Sequence, residues 1–226
     1  YLARGVTMHE LYISPDVLGE GEWRVLADAL RWARDRFPVL RSTEMIGGDP
    51  NRLEPYGYVH WDGERGVVAV RNPDVAPHAV TVPLDPAHGL DPFTRGLVVE
   101  RIYPTRWMAP AVYKAGQSVA LPPLLGYEAA VYEVRPARDD EPLLVDVVFA
   151  ETARDGAART LELLEAGPAA GVLNPGALAA LTRDGAPIDP RELARLPRGC
   201  ADCFAEGRVS VEDGGGVLAA RLNLRP

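Results

Sequence analysis

The chain has 226 residues, of which 47% are hydrophobic and 25% charged; this is the balance of one large or two small folded domains, at roughly 100–200 residues each, and it excludes a disordered polymer. Its 32 acidic against 24 basic residues leave a net charge of −8, which repels a phosphate backbone, so nucleic acid is not an expected partner. No apolar run approaches the ~20 residues of a bilayer-spanning helix, so no membrane partner is expected either, and the compartment stays open.

The chain opens on Tyr1 rather than Met and is read as a fragment. Residues 5–13 (Gly-Val-Thr-Met-His-Glu-Leu-Tyr-Ile) are apolar and β-branched and are stopped by Ser14-Pro15-Asp16, which predicts a short buried strand and a loop. From Glu20 to Phe37, the residues Trp23, Leu26, Ala27, Leu30, Ala33 and Phe37 recur at three- and four-residue spacing, with Arg24, Asp28, Arg31, Arg34 and Asp35 elsewhere on the wheel. This predicts an amphipathic helix ended by Pro38. Strand, loop and helix together read as one β/α unit over residues 1–41. A helix of this kind cannot hide its apolar stripe alone, so an uncovered stripe is expected to drive self-association.

After Pro38 the period changes to two. Tyr56–Trp61, Gly66–Arg71, Ala79–Pro83, Leu97–Tyr103, Ser118–Leu121 and Tyr127–Val134 are short β-type runs, with turn signals such as Asp62-Gly63 and Asn72-Pro73 between them. Such a series predicts an antiparallel β-sandwich over residues 42–138. A charged, proline-bounded stretch at Arg135–Pro142 marks a boundary, and all four Trp and all eight Tyr lie before it. Beyond it, Leu143–Phe149, Arg159–Leu164, Arg208–Val211 and Val217–Leu224 predict a second, smaller β domain over residues 139–226. Asp184-Gly185 and Asp213–Gly216 serve as turns, and residues 176–182 and 190–196 fit either a helical turn or extended chain. The fold class expected is therefore mainly β: a sandwich and a second small β domain, preceded by one β/α unit.

The chemistry-bearing residues give few constellations. Cys200-Ala-Asp-Cys203 has the spacing of half a zinc site but no other Cys and no nearby His, so it reads as two loop thiols, and neither a metal nor a cofactor is expected. The histidines at 9, 60, 78 and 88 neighbour no nucleophile in a recognisable motif. Tyr56, Tyr58 and His60 alternate onto one strand face, either as an aromatic sugar platform or as a packed interface. Glu10 carries more weight, because a carboxylate on a buried strand costs desolvation energy unless it is paired or used. Two readings stand: it positions a substrate together with Tyr12 and His9, or it accepts a hydrogen bond from an arginine.

The order of these elements, with Arg4–Pro15 read as a final barrel strand and loop, then an amphipathic helix, then Tyr-Gly-Tyr-Val-His-Trp and Val-Val-Ala-Val-Arg-Asn-Pro, resembles the carboxyl-terminal part of α-galactosidase-like (melibiase-type) glycoside hydrolases. The likeness covers residues 1–136. It implies a carbohydrate-processing protein whose catalytic aspartates lie on earlier barrel strands, so no catalytic residue carries over to this chain. It also implies that sugar would be met through the barrel, near Glu10, Tyr12 and His9. The expected function is a structural and accessory part, inactive alone. The alternative is a free-standing carbohydrate-binding or adhesion-type β module using Trp61, Trp107 and the tyrosines.

Overall fold

The computed structural model describes residues 1–6, 8–138, 143–155, 158–173, 178–183, 186–187, 189 and 218–223. Two helices, α1 (Glu20–Asp35) and α2 (Phe37–Leu40), precede the strands β1 (Thr43–Gly47), β2 (Tyr56–Asp62), β3 (Arg65–Arg71), β4 (His78–Pro83), β5 (Arg95–Tyr103), β6 (Arg106–Met108) and β7 (Tyr113–Lys114). These are followed by β8 (Ser118–Leu124), β9 (Ala129–Pro136), β10 (Leu143–Asp155), β11 (Ala158–Leu173), β12 (Leu178–Arg183), β13 (Ala186–Pro187) and β14 (Leu218–Asn223). The protein is mainly β and its strand pairs are antiparallel. It divides into two compact units, Tyr1–Arg95 with Lys114–Pro136, and Gly96–Tyr113 with Ala137–Pro226.

The first unit holds a sheet in the order β1-β2-β3-β9 and a separate β4–β8 ribbon. The Asp62-Gly63 turn closes the β2–β3 hairpin, with Gly63 at φ 62, the left-handed conformation this turn demands. Alternation sends Val59, Trp61, Val68, Val70, Ala130, Tyr132 and Val134 to one face of the sheet, and all of them are buried. His60 and Val67 lie on the other face, and they are buried too, because the helical segment covers them: Ala33 and Leu40 pack with Val67, flanked by Trp32, Val39 and Val131. A sheet buried on both faces explains the unbroken apolar run from Val67 to Val70.

Helix α1 starts after Gly19 with Glu20 and Glu22 in its first turn, favourable at the positive end of its dipole, and gives way at Arg36 just before Pro38. Its second half is fastened to β9 by Glu133, whose carboxylate accepts the Trp32 indole N–H at 2.9 Å and the Arg36 Nε at 2.9 Å. The unit's own sheet therefore covers the carboxyl-terminal half of the helix, while Trp23, Val25 and Phe37 stay exposed.

The predicted first strand is corrected. None of the described residues between Gly5 and Ile13 belongs to a strand. The segment begins with a 3-10 turn, Leu2–Arg4, capped by Gly5 at φ 72, and an extended run becomes a strand only when a neighbour satisfies its backbone groups, which hydrophobic pattern alone cannot guarantee. Of residues 176–182, which by sequence fit either a helical turn or extended chain, 178–182 are in β12 and 176–177 lie outside the described residues. Cys200, Cys203, Arg208–Val211, Asp184-Gly185, Asp213–Gly216 and residues 190–196 lie outside the described residues.

In the second unit the pairs run β5-β6-β10-β11-β14-β12-β13. Two apolar clusters share β10. Leu143 and Val145 join Val98 and Met108, whereas Leu144, Val147 and Phe149 join Leu161, Leu163, Ala170 and Leu181. The parity switches at Asp146, which has φ 52 and sits where the register with β11 breaks between Val145 and Val147. The extra residues, 167–170, are on β11, and the left-handed Asp146 opposite them breaks the alternation of β10, so one strand serves two clusters. The Asp146 carboxylate secures the bulge by accepting the Ala169 N–H at 2.8 Å and the Trp107 indole N–H at 3.3 Å.

Candidate functional site

The expected site residues do not form a strand-end cluster. Tyr12 is 94% exposed, and its hydroxyl donates to Glu10 at 3.1 Å on the surface, so Glu10 is spared the desolvation cost that made it conspicuous in the sequence. His9 leans on Tyr1 with ring centroids 5.7 Å apart. Glu10 and Tyr12 are thus brought together, but as exposed residues of an irregular segment. Replacing Glu10 by Gln is expected to change the melting free energy by less than about 0.5 kcal/mol, the usual scale for an exposed site; a larger loss in a thermal scan would mean that Glu10 is anchored in a way the surface hydrogen bond does not explain.

The aromatic candidates separate in the same way. Trp61 and Trp107 are buried and make no exposed platform. Tyr56 and Tyr58 are half-buried and meet edge to face at 6.3 Å, with the Arg4 guanidinium over the Tyr58 ring at 5.8 Å. Their strand neighbour His60 is wholly buried, and its ring bonds to the chain that covers it. This face is packed at His60, while Tyr56 and Tyr58 keep part of their surface exposed.

The group of residues best arranged to meet a ligand lies at the end of the first unit where two loops join the sheet to the ribbon. Residues 72–77 connect β3 to β4, and residues 125–128 connect β8 to β9. Because β3 pairs with β9 (Arg71 opposite Ala129) and β4 with β8 (His78 opposite Leu124), both connections leave from the same end.

Asn72, fully buried, ties them together. Its amide nitrogen spreads two protons over the carbonyls of Ala76 at 2.7 Å, Leu124 at 3.2 Å and Leu125 at 3.0 Å, while its side-chain oxygen accepts the Asp74 N–H at 3.0 Å. Its own backbone N–H donates to the Glu128 carbonyl at 2.9 Å. Asp74 carries the frame outward: its carbonyl accepts the Tyr127 N–H at 2.9 Å, and its carboxylate accepts from Val75 N and from His78 Nε2 at 2.8 Å. The His78 hydrogen bond, with help from the Val75 N–H, holds the Asp74 carboxyl below the ordinary carboxylate range.

On this frame stand three exposed apolar side chains, Val75 at 72%, Leu125 at 60% and Tyr127 at 65%. Tyr127 has φ 61, a left-handed conformation that costs a non-glycine residue about 1–2 kcal/mol and persists only where the surroundings enforce it. Gly126 permits the close approach that does so, since a Cβ there would meet the Val75 carbonyl oxygen at 2.2 Å. The Glu128 carboxylate accepts the Leu125 N–H at 2.7 Å and closes the turn. The result is an exposed phenol ring on a left-handed backbone whose N–H is tied to the Asp74 carbonyl, on the same pair of loop ends that carries the Asp74–His78 pair. Such a group can stack on an apolar face and hydrogen-bond to hydroxyls around it.

In the sequence, Asn72-Pro73 was legible as a turn. Asp74, Val75, His78, Leu125 and Tyr127 are not legible as a group, because they come from two loops about fifty residues apart, and the run Tyr127–Val134 predicts a strand from Tyr127 whereas β9 begins at Ala129. No family model and no curated protein matches the chain.

Proposed function

We propose that this chain is an accessory, non-catalytic part of a carbohydrate-processing protein and that it acts by holding sugar on the Tyr127 platform of the first unit. One observation carries the reading: a solvent-facing tyrosine is kept in a strained backbone conformation by a frame of buried hydrogen bonds that spans two loops. Strain of this kind stands where the surroundings over-determine it, and it clusters at ligand clamps. A tyrosine gives large contact area with little rotamer entropy to lose, and the Asp74–His78 pair carried by the same frame offers acceptors and donors suited to sugar hydroxyls. The sugar itself is suggested by the resemblance of residues 1–136 to the carboxyl-terminal part of melibiase-type hydrolases. The same platform also serves the alternative reading of a free-standing carbohydrate-binding module, since it requires nothing outside the unit.

Calorimetry with a panel of neutral oligosaccharides tests this directly. The isolated chain is expected to bind at least one of them and to release no nitrophenol from aryl α- or β-glycosides. Tyr127→Ala is expected to weaken binding tenfold or more, about 1.4 kcal/mol. Binding that is unaltered in Tyr127→Ala, or no binding across the panel, would remove the platform from the account, and turnover that tracks the protein through purification would remove the accessory role.

A further inference from the structure

The first unit contains a buried imidazole that the sugar reading does not use. His60, on β2, is 0% exposed and is enclosed by three segments. Its Nε2 lies 2.8 Å from the Ala3 carbonyl oxygen in the amino-terminal turn, and its Nδ1 lies 3.1 Å from the Leu40 carbonyl oxygen at the end of α2 and 3.0 Å from the Thr43 hydroxyl at the start of β1. The Thr43 hydroxyl is also 2.9 Å from the Leu40 carbonyl, to which it can donate. Gly5 completes the knot: a Cβ there would lie 2.3 Å from the Leu40 oxygen and 3.0 Å from the His60 ring. One side chain therefore joins the sheet to both ends of the segment that covers it.

We infer that His60 is an acid-sensitive latch that holds residues 1–42 on the sheet of the first unit. In the neutral ring Nε2–H donates to Ala3 and Nδ1 accepts the Thr43 hydroxyl, so every ring atom is satisfied without charge. In the protonated ring Nδ1–H turns to the Leu40 carbonyl and the hydroxyl proton swings away from the nitrogen. Both N–H groups then keep acceptors, but a positive charge is sealed from water with no carboxylate to pair it, which is costly. The charged and titratable groups on the surrounding elements offer the ring no carboxylate: the Tyr1 amine is held below its ordinary value by burial and by the like charges of Arg4 and Arg71, Arg4 lies over Tyr58, His9 leans on Tyr1, Glu44 on β1 bonds to His88, Glu133 on β9 holds Arg36 and Trp32, and Arg41, Asp62, Arg65 and Arg71 are exposed. Among the described residues none of them bonds to the ring.

Burial accordingly pushes the imidazole below its ordinary value, against the raising pull of the backbone groups of Ala3, Leu40 and Ser42. With the folded value below the open value of about 6.5, the open form binds more protons in acid. The latch is therefore at full strength above pH 6.5 and weakens as the pH falls toward the folded value.

Hydrogen exchange read by peptide, with intrinsic rates corrected for pH, measures the latch in the intact chain. Between pH 7.5 and 5, the opening of residues 1–42 relative to β2, β3 and β9 is expected to rise below pH 6.5 by up to about tenfold per pH unit, the limit for one proton. The acid dependence is expected to vanish in His60→Gln. Equal protection at both pH values, or the same acid response in His60→Gln, would overturn the inference. If that variant fails to fold, the wild-type ring decides by itself: a titration of the His60 Cε1–H resonance with a midpoint below 6.5 supports the latch, and a midpoint at or above 6.5 overturns it.

Discussion

Alanine at position 57 is expected to destabilise the first unit by about 3 kcal/mol, near the upper end of what overpacking usually costs. Gly57 lies inside β2 and pairs with Ile46 on one side and Val70 on the other. A Cβ there would sit 2.2 Å from the Ala69 carbonyl oxygen and 3.0 Å from Val70 Cα. Those atoms are backbone of the paired strand, so relief requires β3 to move as a unit, and β3 is buried on both faces. Gly63→Ala is the matched control. Gly63 has φ 62 but nothing within 4 Å of its would-be Cβ, so only the conformational cost applies, about 1–2 kcal/mol. Exchange protection of the β2 and β3 amides measures both variants in the same unit. A Gly57→Ala chain as protected as Gly63→Ala would mean that the sheet has room the packing does not reveal.

Removing the amide of Asn72 is expected to have an effect of similar size on stability and a larger one on binding. Asn72→Ala leaves the carbonyls of Ala76, Leu124 and Leu125 without this donor and the Asp74 N–H without its acceptor. An unsatisfied buried group costs about 1–3 kcal/mol, and solvent entering the loop ends would recover part of it, so a net loss of about 3 kcal/mol is expected. Tyr127 is held in its left-handed conformation through Asp74, which Asn72 positions, so the ring should lose its fixed aim as the loops relax. Sugar binding is then expected to fall at least tenfold at temperatures where the variant is still folded.

Asn72→Asp sharpens the test. It keeps the acceptor for Asp74 N–H but points carboxylate oxygen at the carbonyls that the amide had served, so it should be at least as destabilising as alanine. Binding by Asn72→Ala at wild-type strength, alongside a clear loss of stability, would separate the frame from the site and show that Tyr127 needs no support from it.

What the sequence determines about this protein is local. The short apolar and β-branched runs Tyr56–Trp61, Gly66–Arg71, Ala79–Pro83 and Leu97–Tyr103, each bounded by turn residues, correspond to β2, β3, β4 and β5, because β-branched and aromatic side chains suit a pleated backbone whatever lies around it. The three- and four-residue spacing from Glu20 on corresponds to α1, and Asp62-Gly63 to a hairpin turn, for equally local reasons.

The tertiary structure decided what these elements meet. Val-Thr-Met-His-Glu-Leu-Tyr-Ile has the composition of a strand, but strand pairing is a property of two segments, and among the described residues none between Gly5 and Ile13 is paired in a strand. Thr43–Gly47, with three of its five residues polar or glycine, became a strand because β2 offers it a ladder. The phase change at Asp146 depends on how β11 loops out opposite it, which no window over β10 contains.

The candidate site follows the same division. A proline after Asn72 announces a turn from two adjacent letters, whereas the platform needs Asn72 to reach Leu124 and Leu125 and Asp74 to reach Tyr127. Those contacts exist because β3 pairs with β9 and β4 with β8, bringing two loop ends to one place, and the left-handed conformation of Tyr127 is imposed by that meeting rather than by the preferences of tyrosine.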